Sequence, residues 1–217
     1  MAETGLFDIM FSTRSMRHLK PDPIPDDVIY KILDAAIRAP SGGNNQHWRF
    51  MVVKDPEIKR QIQKVYLKGW GDAQAMYRNR PAPTHLGEQK LRGILDAATH
   101  LAEHLAEAPV LLIPCLKERP MPPALAAKLS RLSGSSIYPA VQNILLACRA
   151  HGLGATLTTV ASLYEDDLKP ILKLPEDVNT YALIPIGYPR GKFGPVTRMS
   201  VEEVTCVDQW GTAFTKK

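Results

Sequence analysis

Cysteine is scarce and scattered in this chain: Cys115, Cys148 and Cys206 are the only three in 217 residues, too far apart for a redox pair or a zinc knuckle. An odd, unpatterned set points to reduced thiols and a cytoplasmic setting. No apolar run is long enough to span a bilayer, and the amino terminus carries Glu3 and Asp8 before any apolar stretch, so neither a membrane span nor a signal peptide is expected. Gly152-Leu153-Gly154 lacks the third glycine of a dinucleotide fingerprint, and Gly187 to Lys192 lacks the spacing and hydroxyl of a Walker loop. Aromatic residues make up only 7% of the chain, and Arg60, Arg78, Arg80, Arg92 and Arg149 do not alternate with them, so nucleic acid is not an expected partner. His100 and His104 lie one helical turn apart but lack a zinc protease's glutamate position and a third ligand; they read as a solvated helix face, with no metal site. Without a repeat, a linker or a break in composition, residues 1–217 read as a single domain.

Positive charge and conformationally free, amide-rich loops are present. The formal net charge is +5, which attracts phosphorylated ligands. Two segments flank one predicted helix: Arg14-Ser15-Met16-Arg17 before it, and Pro40-Ser41-Gly42-Gly43-Asn44-Asn45-Gln46 after it. Guanidinium groups hold a phosphate through paired donors and stay charged at every physiological pH, so two arginines around a serine hydroxyl suit a phosphate seat. Gly42-Gly43 allows close backbone approach, while Asn44 and Gln46 each donate and accept hydrogen bonds. Asp26 and Asp27 open the intervening helix, Val28, Ile29, Ile32, Leu33, Ala36 and Ile37 give its apolar face, and Ala39-Pro40 ends it. A helix of this length spans roughly 20 Å. Either the ligand is long or two chains share it.

Together the two segments resemble the nitroreductase-like flavoprotein family, whose members begin with Arg-Ser-x-Arg and continue, after one helix, with Ala-Pro-Ser-x-x-Asn-x-Gln-Pro-Trp. Here the second element runs from Ala39 to Trp48, with His47 in place of the usual proline. The predicted helix from Tyr138 to Ala147, its exit at Gly152-Leu153-Gly154, and the strand ending in Gly187-Tyr188-Pro189 are similar to the family's central helix and last core strand. The resemblance implies an α+β fold with a central mixed, mainly antiparallel β-sheet flanked by helices, in an intertwined homodimer with C-terminal arm exchange. It also implies FMN, with Arg14, Ser15, Met16, Arg17 and Arg198 at its phosphate, ribityl chain and pyrimidine side. Gly154 would approach the ring, and Ser41, Asn44 and Gln46 would reach it from the second subunit. Val196 stands where some relatives have lysine, so Lys192 or Arg190 would supply a second charge.

Trp48 to Val53 and Val110 to Ile113 read as buried strands, and Tyr181 to Tyr188 as a further strand. Glu57 to Tyr66, Leu91 to Glu107 and Leu163 to Leu172 read as amphipathic helices, and Ser135-Ser136 as caps of the central helix, whose first turn holds Pro139. Residues 70–87, rich in proline, arginine and glycine, read as a mobile lid in which Trp70, Tyr77 and His85 are candidate pocket residues. Arg119 to Pro123 reads as a loop, and residues 199–217 as an arm that lies on another subunit.

What the resemblance implies chemically is an oxidoreductase that takes electrons from NADH or NADPH and passes them, by ping-pong kinetics, to a small-molecule acceptor such as a nitroaromatic or quinone. No side chain need act as nucleophile or obligatory acid, so no catalytic residue is expected. Reductive dehalogenation, oxygen-dependent flavin breakdown and flavin storage are the alternatives on the same fold. Dimer formation would complete the active sites at the interface.

Overall fold

The computed structural model describes residues 5–78, 80–118, 122, 124, 132 and 134–215. Its sheet is built around β2 (Val110–Lys117), whose first six residues are all buried. β1 (Trp48–Val53) pairs with it antiparallel, Trp48 opposite Leu116 and Val53 opposite Leu111, while β5 (Ile184–Gly187) and the short β4 (Val178–Thr180) pair along its other edge. β3 (Gly154–Ala155) then adds to β5, giving the order β1-β2-β5-β3.

Side chains alternate across a strand, so an apolar run such as β2 must be covered on both faces. Leu111, Ile113 and Cys115 point into one core with α3 (Pro56–Arg78), α4 (Glu88–His104) and α6 (Glu165–Leu172). Val110 and Leu112 point into the other, against α2 (Asp26–Ala36) and α5 (Tyr138–Ala150). The result is a helix–sheet–helix sandwich with antiparallel pairing, the fold expected from the sequence. α1 (Leu6–Ser12) and the single-turn α7 (Val201–Val204) lie outside both cores and bury none of their residues.

Several local expectations change. α3 runs on past Tyr66 to Arg78, so the first half of the 70–87 stretch is helix rather than loop. Its continuation is secured by buried Trp70 and Ala73, and Gly69 lets it approach the backbone at Val160: a methyl group there would lie 2.1 Å from the Val160 carbonyl oxygen. Helical signal was hidden because glycines at 69 and 71 weaken periodicity, and tertiary contact overrides propensity. The strand expected over 181–188 is regular only from Ile184, and β4 was not anticipated. Leu163 and Tyr164 belong to a 3-10 turn that precedes α6. The loop expected at Arg119 to Pro123 lies outside the described residues except for Pro122.

Ser135 and Ser136 do not cap α5. The residue before that helix is Ile137, with no side-chain cap, and Ser136 turns instead to the Ser41–Gln46 segment, where its hydroxyl accepts the Gly42 N–H at 3.1 Å.

Candidate functional site

The segment after α1 is extended and is stitched onto the sheet's edge. Met16 N–H donates to the Ala155 carbonyl at 3.1 Å, Lys20 N–H to Tyr188 at 2.7 Å, and Arg190 N–H returns to His18 at 2.9 Å. Gly154 makes this docking possible, because a Cβ there would meet the Met16 Cβ at 2.8 Å, Leu19 Cδ2 at 3.0 Å and Pro189 Cβ at 3.2 Å. Gly154 therefore sits beneath the segment, and the cavity itself is lined by the next two residues, Ala155 and Thr156.

That cavity, about 950 Å3, opens between the Arg14–His18 segment, α4, α5 and the chain from Gly191 to Arg198. Its volume lies within the rough 300–1,000 Å3 span of small-molecule sites. Arg14, Ser15, Met16, Arg17 and Arg198 all line it, as does Lys192. Arg190 lines a separate cleft of about 300 Å3 with His100, His104 and Glu107. Of the two residues considered for the second charge, Lys192 is thus the one placed in the large cavity. Val196 lines it too, tied by its N–H to the Phe11 carbonyl at 3.2 Å.

Among the described residues, no aspartate or glutamate lines the large cavity. Arg17 is half-buried, makes no hydrogen bond or ion pair to another described side chain, and has its pKa lowered by burial, with the phenols of Tyr66 and Tyr77 opposing. Thr156 is 1% exposed, and its Oγ1 lacks a hydrogen-bond partner among the described residues. A buried hydroxyl left unpaired costs on the order of 1–3 kcal/mol, so a polar ligand atom is the natural partner. Uncompensated guanidinium groups and an orphan hydroxyl fit a phosphorylated, polar-edged ligand such as FMN.

Ser41, Asn44 and Gln46 do not line this cavity. They form a separate exposed turn in which Gly43, Asn44 and Gln46 take left-handed backbone angles, φ 59°, 53° and 51°. Gln46 donates its amide to Asn44 Oδ1 at 3.0 Å, and its N–H to Ser41 Oγ at 3.2 Å. Left-handed geometry at a glutamine is unfavourable and persists only where the surroundings enforce it. Among the lid candidates, His85 lines the cavity; Trp70 is buried and donates to Thr99 Oγ1 at 3.3 Å, and Tyr77 packs near it, ring centroids 6.5 Å apart.

Other contributors carried no local signal in the sequence. Thr156, Gln142 and Lys90 are brought to the cavity only by tertiary folding. Arg149 supports it from α5: its Nε donates to Ser12 Oγ at 3.0 Å and its guanidinium stacks 4.2 Å over the Phe193 ring, so one side chain braces both flanking segments. His100 and His104 are not a freely solvated face. With His18 they form a stack of three imidazoles, centroids 4.0 and 4.1 Å apart.

Residues 10–188 match the sequence profile described as "Nitroreductase family". The chain belongs to the nitroreductase family. Within that family it is similar to an NADH dehydrogenase of Thermus thermophilus, 30% identical over 196 residues that cover 88% of this chain and 90% of the relative. It is also similar to iodotyrosine deiodinase 1 of Rattus norvegicus, 27% identical over 207 residues, 94% of this chain and 70% of the relative. The crystal structure of an oxidized iodotyrosine deiodinase bound to FMN and 3-iodo-L-tyrosine superposes with a TM-score of 0.69 at 27% identity, covering 91% of this chain and 96% of that one. This nitroreductase-family chain thus has an oxidoreductase scaffold whose cavity is built from the Arg-Ser-x-Arg segment.

Proposed function

We propose that the chain is an FMN-dependent NAD(P)H oxidoreductase that reduces nitroaromatic or quinone-like acceptors as a homodimer. The observation that carries this reading is the cavity, lined by no carboxylate among the described residues, where Arg14, Arg17, Lys192 and Arg198 converge beside the orphan Thr156 hydroxyl. When bound, FMN supplies the two-electron chemistry that links a nicotinamide donor to the acceptor. Arg14 and Arg198 hold its phosphate with Lys192 as the further charge, and Arg17 supplies positive charge toward the ring. Thr156 and the backbone above Gly154 fix its tilt.

A second copy of the chain completes the site. Support comes from the exposed apolar face of α1, where Phe7 and Phe11 are 69% and 64% exposed, and from Trp210 in the carboxy-terminal segment, which is 99% exposed. Burial of such surface is the usual driving force for association. In the dimer the Ser41–Gln46 turn of one copy reaches the flavin of the other, the segment from 199 onward is the exchanged arm, and residues 80–87 act as the lid. No described helix is long and apolar enough to cross a membrane. The three cysteines are unpaired, in keeping with work in the cytoplasm.

Deiodination of an amino acid is the reading suggested by the iodotyrosine deiodinase relatives. Comparing turnover of 3-iodo-L-tyrosine with that of a nitroarene separates the two readings.

An absorbance spectrum of the protein with saturating FMN, taken anaerobically before and after NADH or NADPH, tests the proposal. Bound flavin bands that bleach with either nicotinamide support it. Flavin that binds but stays oxidised points to storage or a dedicated reductant, and failure to bind flavin overturns the assignment.

A further inference from the structure

Positive charge in the large cavity exceeds what one phosphate group requires. Arg14, Arg17, Lys90, Lys192 and Arg198 line it, and no carboxylate does among the described residues. A phosphate monoester brings about two negative charges, so the cofactor leaves fixed cations uncompensated. Side-chain ion pairs such as Lys31–Asp27, Lys68–Asp167 and Lys117–Asp177 lie elsewhere on the surface. Two carboxylates beside lining residues accept backbone hydrogen bonds: Glu88, two positions before Lys90, accepts the Ala82 N–H at 3.2 Å, and Glu203, which interacts electrostatically with His85, accepts the Ser200 N–H at 2.8 Å.

Among the described lining cations, Lys90 differs in its origin. It comes from α4, whereas the phosphate candidates come from the 14–17 and 192–198 segments. It is exposed and makes no hydrogen bond or ion pair among the described residues. Gly93, Ile94 and Ala97 follow it along the same wall, at the spacing of one helix face, so a small apolar surface lies beside Lys90. An apolar wall ending in a fixed charge recognises a flat hydrophobic body with an anionic tail.

We propose that the electron acceptor reduced in this cavity is a planar aromatic bearing a carboxylate, sulfonate or phosphate, and that Lys90 pairs with that group. The proposal rests on the oxidoreductase reading. For the probe 4-nitrobenzoate the reaction balances as nitroarene plus NADH plus one proton giving nitrosoarene, NAD+ and water: the nitro group gains two electrons and loses one oxygen as water, and the nicotinamide is oxidised.

The test compares kcat/KM for 4-nitrobenzoate with its neutral isostere 4-nitrobenzamide, using FMN-loaded protein at low and high KCl, for the natural chain and Lys90→Gln. The expected result is a preference of roughly tenfold for the anion, the scale of a charge-assisted hydrogen bond in a partly exposed site. That preference should shrink at high salt and collapse toward unity in Lys90→Gln. Equal kcat/KM for the two probes in the natural chain, or an undiminished preference in Lys90→Gln, overturns the proposal. Titrating the bound-flavin spectrum with non-reducible benzoate and benzamide makes the same comparison without turnover. Selective benzoate binding without turnover upholds the charge recognition and sinks the oxidoreductase reading, whereas turnover without selectivity does the reverse.

Discussion

Met16 lies so close over Gly154 that a single methyl group added at Gly154 would stand 2.8 Å from the Met16 Cβ. This contact joins the Arg-Ser-x-Arg segment to β3 and, through Met16 N–H to the Ala155 carbonyl, sets the height of the guanidinium groups above the cavity floor. Gly154→Ala is therefore expected to destabilise the fold by about 1–3 kcal/mol, the range for overpacking. Flavin affinity should fall with it, whereas Gly71→Ala, inside α3 with nothing within 4 Å, should raise stability by about 0.5–1 kcal/mol and leave flavin affinity unchanged. Thermal melts and FMN titration of the two variants check this.

Arg14 and Arg38 are both exposed arginines, but Arg38 is paired with Asp34 at 2.5 Å while Arg14 has no such partner among the described residues. Arg14→Ala should weaken FMN binding by roughly ten- to a hundredfold, the value of a hydrogen-bonded charge. Arg38→Ala should not change it. Unaltered FMN affinity in Arg14→Ala would remove the phosphate assignment.

At Gln46 the backbone is held at φ 51°. Replacement by glycine removes a left-handed penalty of about 1 kcal/mol, so Gln46→Gly is expected to keep or raise the melting temperature. If the turn serves a flavin across the dimer, the same variant should nonetheless lose flavin more readily on dialysis. A parallel loss of both stability and flavin would mean that the side chain is structural.

Burial pushes the Cys115 and Cys148 thiols up to about 12, Cys115 with a further contribution from the Glu165 carboxylate. Their folded pKa lies above the ordinary thiol value of 9.0, so the unfolded chain loses protons first. Native stability should consequently decline as pH rises from about 9 toward about 12. A thiol reagent at pH 8 should modify exposed Cys206 alone in the native protein, and all three cysteines after denaturation.

Burial holds the His100 imidazole below its ordinary pKa, reinforced by repulsion from His18 and His104 and opposed by Glu107 and Glu103. Arg17 and Arg190 line the same cleft and add positive charge. Because the folded pKa is depressed, the unfolded chain binds the proton more readily, and this contribution to stability is present above pH 6.5 and lost as pH falls through the folded value. Melting temperatures between pH 7.5 and 5 should drop less steeply in His100→Gln than in the natural chain.

Much of this was legible in the chain itself. Apolar spacing placed α2, α5 and the strands at Trp48 and Val110, because a 3.6- or 2-residue period is a local property of sequence. Residue types also marked the Arg14–Arg17 segment, which lines the cavity, and the Ser41–Gln46 turn, which does not. Only the tertiary structure decided that Lys192 rather than Arg190 lines the large cavity with Arg14 and Arg198, that Lys90 and Thr156 line it too, and that Ser136 ties down a turn 94 residues away instead of capping its own helix. It also carried α3 through two glycines to Arg78, against its weak periodicity. The physical reason is common to all four: which groups meet depends on how the sheet and its two helix layers pack, and that packing energy is set by long-range contacts that no local stretch of sequence encodes.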